Sequence, residues 1–229
     1  MRGARALFLA AAALVAACAP QVRERIPPAP RVPPGFPAAY YEELAAQGKP
    51  VYRIDRGQSL VVIEVRRAGS LERLGHDHVV AARDLGGFAA PGEGRADLYV
   101  PLDLLTVDEP DLRVQARFDT QPSKSDVAGT RANMLERVLE TEKYPFALVS
   151  ARGGAGEATL EVTVTLHGVS RVTRVPAQLR VGDADLSANG SFSFNQSDFG
   201  IVPFSILGGT IAVRDRVDLR FSIRARRVR

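Results

Sequence analysis

The chain has three histidines, His76, His78 and His167, and a single residue separates the first two. Side chains two positions apart on a β-strand point to the same face, so His76 and His78 could present two imidazoles close together. A third ligand, either His167 or the carboxylate of Asp77, would complete an open site for zinc, copper or haem iron. The alternative is a set of hydrogen-bonded histidines whose unperturbed pKa of about 6.5 makes them sensitive to pH.

No recognisable catalytic motif accompanies these histidines. The sequence has neither a Gly-x-Ser-x-Gly nucleophile elbow nor a His-Glu-x-x-His zinc helix. Asp198-Phe199-Gly200 matches a kinase metal motif in letters only, because no phosphate loop, strand lysine or His-Arg-Asp loop occurs with it. The glycines at 153–156 connect two predicted strands rather than a strand and a helix, which argues against a phosphate cradle. We therefore expect a binding protein and not an enzyme.

The elements that must position these side chains are mainly β-strands. Between Ala158 and Ala225, apolar residues alternate with polar ones in two segments. The alternating apolar residues are Leu160, Val162, Val164 and Leu166 in the first segment, and Ile211, Val213, Val217, Leu219, Phe221 and Ile223 in the second. A strand cannot bury its apolar face alone, and closure of several strands into a barrel also removes their exposed edges. The pattern predicts an all-β domain, either a sandwich or an antiparallel barrel.

Further strands are predicted upstream, between turns rich in glycine and proline. In residues 97–100 and in residues 112–118, apolar residues alternate with polar ones. The apolar face of the second segment consists of Leu112, Val114, Ala116 and Phe118. Residues 131–140 have a helical period instead, with Thr130 as the expected N-cap. The apolar face of this short helix consists of Met134, Leu135, Val138 and Leu139. We expect this face to pack on the barrel or to plug it.

The first fifty residues differ in composition from the rest. Residues 1–17 combine two arginines with the apolar run 6–17, which is the layout of an export signal. That run is shorter than the roughly 20 residues needed to span a bilayer. Residues 18–50 contain eight of the fifteen prolines, so they predict an extended linker, with a short helix at 38–47. We expect the folded domain at 51–229.

The only cysteine, Cys18, ends the sequence Val15-Ala16-Ala17-Cys18, which is similar to the lipobox of bacterial lipoproteins. In such proteins the cysteine is acylated and becomes the mature N-terminus. Several acyl chains together hold a protein stably on a membrane. Because Ala19 is not aspartate, the resemblance implies attachment to the outer membrane, with the domain in the periplasm. A single cysteine also excludes an intramolecular disulfide.

The charge balance argues against a nucleic-acid partner. The chain has 30 Lys and Arg and 26 Asp and Glu; without Arg2 and Arg5 of the export signal the difference is 28 − 26 = +2. The last predicted strand carries Arg214, Arg216, Arg220 and Arg224 on one face. Asp215 and Asp218 are interspersed, and no aromatic residues interleave, so a solvated strand face is the simpler interpretation.

Six short motifs in order resemble one family. They are Tyr52-x-Ile54-Asp55-x-x-x-Ser59, Asn133-Met134-Leu135, Tyr144-Pro145-Phe146, Leu166-His167-Gly168-Val169-Ser170, Ser197-Asp198-Phe199-Gly200-Ile201 and Val213-x-Asp215-x-Val217. In this order, from about Val51 to Ala225, they are similar to the YceI-like family of bacterial periplasmic proteins. The resemblance implies a lipocalin-like, eight-stranded antiparallel barrel. It also implies that an elongated apolar cavity holds an isoprenoid or another long-chain lipid, with no established catalytic reaction.

Three hypotheses for the function follow. The first is a membrane-anchored periplasmic barrel that binds an apolar lipid. Its candidate wall or mouth residues are Phe192, Phe194, Phe199 and Phe204. The second is a metal- or haem-dependent redox or sensing protein that uses the three histidines. The third is a solid-cored barrel that docks on an envelope partner through its arginine-lined last strand. Because an eight-stranded barrel is just wide enough either to be filled by side chains or to hold one slender ligand, the interior distinguishes the first hypothesis from the third.

Overall fold

The computed structural model describes residues 32–154 and 156–228. The predicted export signal, Cys18 and the linker up to residue 31 lie outside the described residues. In the described part, twelve antiparallel strands form one sheet. They are β1 Tyr52–Ile54, β2 Leu60–Ala68, β3 His78–Ala82, β4 Gly86–Ala90, β5 Arg95–Pro101, β6 Thr106–Val107, β7 Phe146–Arg152, β8 Thr159–Leu166, β9 Val169–Val181, β10 Asp185–Asn195, β11 Ser205–Ile206 and β12 Ile211–Arg227.

The sheet closes on itself as a barrel. Strand β12 pairs with β10 along one side, while along the other side its first part pairs with β2 and its last part with β1. β1 and β2 therefore share one of the eight strand positions of the barrel. β3 and β4 share the next position, because β2 pairs with β3 and β1 pairs with β4. The order then continues through β5, β7, β8, β9 and β10. The predicted lipocalin-like, eight-stranded antiparallel barrel is confirmed.

Three α-helices accompany the strands in the described residues, where the sequence predicted one short helix inside the domain and one before it. They are α1 Ala38–Ala46, α2 Pro110–Ala116 and α3 Lys124–Asn133. Helix α3 continues as a π-helical turn at Met134–Val138. None of the helices in the described ranges is long and apolar enough to cross a bilayer.

Helix α1 packs on the outside of the barrel, against β4 and β5. The side chain of Tyr41 is fully buried, stacks on Phe88 and donates a hydrogen bond to Asp97 Oδ2 at 2.7 Å. Burial and the neighbouring Asp97 raise the pKa of Tyr41, so its hydroxyl stays a donor. Burial alone would raise the pKa of Asp97, but hydrogen bonds from Tyr41, Ser150 and Arg95 lower it. The helix predicted at 38–47 therefore belongs to the folded domain.

The prediction of a strand at 112–118 is wrong, because these residues form most of α2. Pro110 occupies the first turn, where its missing N–H costs nothing. Leu112 packs against Val62 and Val79 on the outer face of the barrel, while Val114 is 77% exposed. Apolar residues four apart, Leu112 and Ala116, fit one helical face as well as they fit an alternating strand. Burial of Leu112 against the barrel wall favours the helix.

The helix predicted at 131–140 begins earlier, and Thr130 is not its N-cap. Ser123 Oγ accepts a hydrogen bond from the Asp126 backbone N–H at 3.2 Å, and the Asp126 carboxylate accepts one from the Ser123 N–H at 2.9 Å. This capping box starts α3 at Lys124. The predicted apolar face does contact the barrel, since Met134, Val138 and Leu139 face its interior.

Candidate functional site

The interior of the barrel is hollow. Inward-facing side chains enclose a cavity of about 310 Å³, at the lower end of the range of about 300–1,000 Å³ that ligand pockets occupy. Its wall is built mainly from aliphatic residues, among them Val61, Ile63, Leu98, Val149, Val164 and Leu219. The third hypothesis, which requires a barrel filled by its own side chains, is therefore wrong on this point.

The wall of this cavity offers very few polar contacts. Among the described residues that line it, only Arg95, Arg152 and Gln196 are polar. Arg95 donates to Asp97 Oδ2 at 2.6 Å, and Gln196 Nε2 donates to the Arg214 carbonyl at 2.9 Å. An unpaired polar group would lose its hydrogen bonds to water on entering such a space, whereas a hydrocarbon chain loses none. The cavity is suited to an apolar guest.

One end of the cavity, called here the capped end, is covered by α3 and the turn that follows it. This is the end at which β2 leads to β3, β8 to β9 and β10 to β12. Arg131 fixes one side of the cap by donating to the carbonyls of Asp103 at 2.6 Å and Leu105 at 3.0 Å. On the other side, Glu140 Oε2 lies 2.6 Å from His167 Nε2. The cap is therefore held to the barrel at both sides by polar contacts.

The β8–β9 turn that carries His167 has a backbone geometry that few residues adopt. His167 and Gly168 join the paired residues Leu166 and Val169, with φ of +54° and +77°. Positive φ at both central positions is typical of a type I′ hairpin turn. A side chain at Gly168 would place its Cβ 2.8 Å from the ring of Tyr144, on which His167 also packs. The Leu-His-Gly-Val motif thus shapes the anchor for the cap.

His78 belongs to a buried ionic network at the capped end. It lies opposite Val65, on the face of β3 that points inward, and its Nδ1 is 2.6 Å from Asp108 Oδ2. Asp108 Oδ1 accepts from Arg113 at 2.6 Å and from the Val79 N–H at 3.0 Å. Burial alone would raise the pKa of Asp108, but the hydrogen bonds with His78, the Val79 amide and Arg113 lower it. The network joins β3 to the segment that leads into α2.

The three histidines do not form the metal site that their spacing suggested. His76 precedes β3, with its ring centroid 6.2 Å from that of His78, while His167 contacts Glu140 and Tyr144. Within the two described ranges, no group of three or more His, Cys, Asp or Glu side chains is arranged to hold a metal ion. The side chains therefore do not fit a metal or haem iron bound by the three histidines, and the structure gives the second hypothesis no support.

The sequence of the barrel identifies its relatives. Residues 52–225 match the family of YceI-like domains. The chain belongs to the YceI-like family. This match includes every strand position of the barrel, from Tyr52 to Ala225 in the last strand. It confirms the resemblance to the YceI-like family that the six sequence motifs indicated.

Two solved structures share the fold of this YceI-like chain. A polyisoprenoid-binding domain from Saccharophagus degradans, implicated in plant cell wall breakdown, has a TM-score of 0.55 at 15% identity, over 77% of this chain and 98% of its own. BcnA from Burkholderia cenocepacia has a TM-score of 0.50 at 14% identity, over 75% of this chain and 98% of its own. At such identities the similarity shows the fold alone. No curated protein matches the chain.

The four candidate phenylalanines occupy different places in the YceI-like barrel. Phe192 and Phe194 line the cavity. Phe199 is 3% exposed and packs edge-on against Phe194, with centroids 5.3 Å apart, so it supports the wall from behind. Phe204 lies under the guanidinium of Arg137, outside the lining. Most of the wall is aliphatic, and the period-two alternation of the strands was the signal that could have identified it.

Proposed function

We propose that this YceI-like barrel binds one isoprenoid or another long-chain apolar lipid in its cavity and acts as a binding protein rather than an enzyme. The observation that carries the proposal is the hollow, almost wholly apolar lumen of about 310 Å³. The fold similarity to a domain described as polyisoprenoid-binding supports the same class of guest.

Hydrophobic contact alone can supply the required affinity. Burying a CH₂ group contributes about 0.8 kcal/mol, so a five-carbon isoprenoid unit contributes on the order of 4 kcal/mol before ordering costs. A few units are enough without a charged anchor in the protein. The wall requires no hydrogen bond from the guest, because Arg95 and Gln196 already bond to protein atoms and Arg152 is exposed to solvent.

The proposed site of action is the periplasmic side of the outer membrane. The lipobox-like sequence ending at Cys18 supports acylation of that cysteine, and the proline-rich segment between Cys18 and helix α1 would tether the domain to the membrane. Expression of the full chain with radiolabelled palmitate tests this part. We expect label in the wild-type protein and none in Cys18→Ser; equal labelling of both proteins would contradict it.

Mass spectrometry of lipid extracted from the protein tests the binding function. The protein is purified from its native host without detergent exchange, and the extract is compared with that of an unrelated barrel protein carried through the same steps. A stoichiometric long-chain apolar lipid is expected only from the YceI-like barrel. A lumen that is reproducibly empty would exclude the proposed role.

A further inference from the structure

Two neighbouring loops at the capped end expose large apolar side chains to solvent. Leu71 and Leu74, in the loop between β2 and β3, are 40% and 68% exposed. Ile206 and Leu207, at the tip of the β11–β12 hairpin, are 42% and 70% exposed. The Leu71 N–H donates to the Thr210 carbonyl at 2.8 Å, so the two loops lie side by side. These four apolar residues, 71, 74, 206 and 207, form what we call the leucine patch.

Folding does not account for the leucine at position 207. Its φ is +50°, in the left-handed region, where a bulky residue is disfavoured and glycine or asparagine is not. The side chain nevertheless remains 70% exposed and gains little from burial in the domain. Backbone strain is concentrated at functional sites, and neighbouring exposed apolar side chains mark surfaces that contact a partner. The partner must be able to take up exposed hydrocarbon.

Among the described side chains, two arginines without a carboxylate partner flank the leucine patch. Residues 66–77 and 204–216 contain five arginines and three carboxylates. Three of these arginines pair with acidic residues outside the two segments, Arg66 with Glu64, Arg67 with Asp119 and Arg216 with Asp218. Two of the carboxylates are engaged by backbone N–H groups, since Asp77 accepts from Arg67 and Asp215 accepts from Ser197, both at 2.8 Å. Exposed Arg73 and Arg214 form no ion pair within the described residues. Apolar loop tips flanked by unpaired arginines are suited to the interface of a bilayer with anionic headgroups.

We propose that the leucine patch docks the capped end of the barrel on an anionic lipid bilayer. The leucines enter the boundary between headgroups and acyl chains, and Arg73 and Arg214 contact lipid phosphates. Docking orients the end of the barrel covered by α3 toward the membrane. The patch lies outside the cavity lining, so this inference goes beyond the proposed lipid-binding function and stands whether or not the lumen is occupied.

A local fluorescence measurement tests the docking directly. The full chain with Cys18→Ser has no other cysteine, so an environment-sensitive dye can be attached at Leu74→Cys or Leu207→Cys. Val181→Cys is the matched control, because Val181 is 40% exposed at the opposite end of the barrel, where β9 leads to β10. Each labelled protein is mixed with phosphatidylcholine vesicles made with and without phosphatidylglycerol.

We expect the dye at positions 74 and 207 to shift to shorter wavelength and to be quenched by spin-labelled acyl chains, whereas the dye at 181 stays unchanged. Phosphatidylglycerol should strengthen the response, and high salt should weaken it. A response of equal size at 181, or none at 74 and 207, would overturn the proposal. A shift that rises with protein concentration in the absence of vesicles would also overturn it, since the patch would then mediate self-association.

A second measurement does not depend on the dye. The double variant Leu74→Glu, Leu207→Glu should bind anionic vesicles at least about tenfold more weakly than Val181→Glu, because two leucines lose their apolar contact. Circular dichroism confirms that each variant is folded. Equal vesicle binding by the two variants would contradict the proposal. Lipid extracted from the lumen is measured separately, so an empty barrel that still docks contradicts only the proposed lipid-binding function.

Discussion

The aromatic ring of Phe221 lies against Gly190 on the neighbouring strand and fills the place where a side chain would be. The two residues are directly paired between β10 and β12. A Cβ atom at position 190 would lie 2.6 Å from Phe221 Cζ and 2.4 Å from the carbonyl oxygen of Pro176. Phe221 also lines the cavity. The absence of a side chain at Gly190 therefore sets where this ring stands in the lumen.

We predict that Gly190→Ala destabilises the barrel by about 1–3 kcal/mol, because the added methyl group collides with backbone as well as with the ring. Urea denaturation followed by circular dichroism measures the change. Gly92→Ala is the control, since a Cβ there meets no atom within 4 Å, and it should leave the free energy of unfolding nearly unchanged. Equal stability of the two variants would show that β10 can move away from Pro176 at no cost.

Filling the lumen should remove the guest without unfolding the protein. Ala188 lines the cavity on β10, so Ala188→Phe places an aromatic ring in the space proposed for the lipid. Ser191→Phe adds the same ring at an exposed position of the same strand. We expect at least about a tenfold loss of extractable lipid from the first variant and none from the second, measured by mass spectrometry at equal protein. Unchanged lipid content in Ala188→Phe would place the guest elsewhere.

The buried carboxylate of Asp108 should make stability depend on pH in acid. Its pKa is lowered in the folded protein, so its contribution is fully present above the ordinary value of 3.8 and is lost as the pH falls through the lower folded value. Asp108→Asn keeps the shape and tolerates the positive φ, but it leaves Arg113 without its anionic partner. We predict a loss of about 3 kcal/mol at pH 7.

Urea denaturation at pH 7 and pH 3 checks this prediction. The difference in free energy of unfolding between wild type and Asp108→Asn should narrow at pH 3, because Asp108 of the unfolded wild-type chain, with its ordinary pKa of 3.8, is then mostly protonated, which stabilises the unfolded state. Asp119→Asn is the control: this carboxylate also pairs with an arginine, Arg67, but it is 66% exposed, so little change is expected. A difference that stays constant down to pH 3 would mean that the charge of Asp108 is not what stabilises the network.

The contact between His167 and Glu140 should control how often the cap opens. Asparagine is well suited to the first position of a type I′ turn, so His167→Asn keeps the turn and removes the contact with Glu140 together with the packing on Tyr144. We predict about two- to fivefold faster amide hydrogen exchange in residues 134–144, since a partly exposed polar contact of this kind contributes about 1 kcal/mol or less. Hydrogen exchange with mass spectrometry provides the readout.

Glu142→Gln is the matched control for that experiment. Glu142 is exposed and has no hydrogen-bond or ion-pair partner in the described part of the chain, so its exchange profile should match the wild type. If both variants accelerate exchange equally, the acceleration would reflect a general sensitivity of this segment to substitution and not the loss of the contact with His167.

The barrel strands could be predicted from the sequence where one face of a strand is buried and the other is exposed to solvent, because apolar and polar residues then alternate. Strand β8 shows this clearly, because alternation along it survives in the structure residue by residue. Helix α2 was missed because Leu112 and Ala116 satisfy both a helical and a strand period, and only packing against β2 and β3 separates the two. The start of α3 could have been recognised from the capping-box pattern Ser123-x-x-Asp126. The predicted start at residue 131 was instead based on the apolar face further along the helix.

The contacts around the cavity were less accessible to sequence reasoning. Asp108 and His78 are 30 positions apart, and neither shows a local pattern that announces the pair. The hollow interior was likewise not predictable from alternation, because a filled barrel has the same pattern. What the sequence did predict was the family, and through the family the expectation of an apolar cavity.

A cavity wall that is almost free of polar groups can discriminate between ligands only by their width and their length. One methylene more or less changes binding by about 1–3 kcal/mol, whereas strong rejection of a near-identical molecule requires a buried donor or acceptor left without its match. Arg95 and Gln196 already form hydrogen bonds with protein atoms, and Arg152 is exposed to solvent rather than buried. Such a cavity would bind a series of apolar chains that differ only in length. The composition of the bound lipid would then depend more on which chains the cell contains than on selective recognition by the protein.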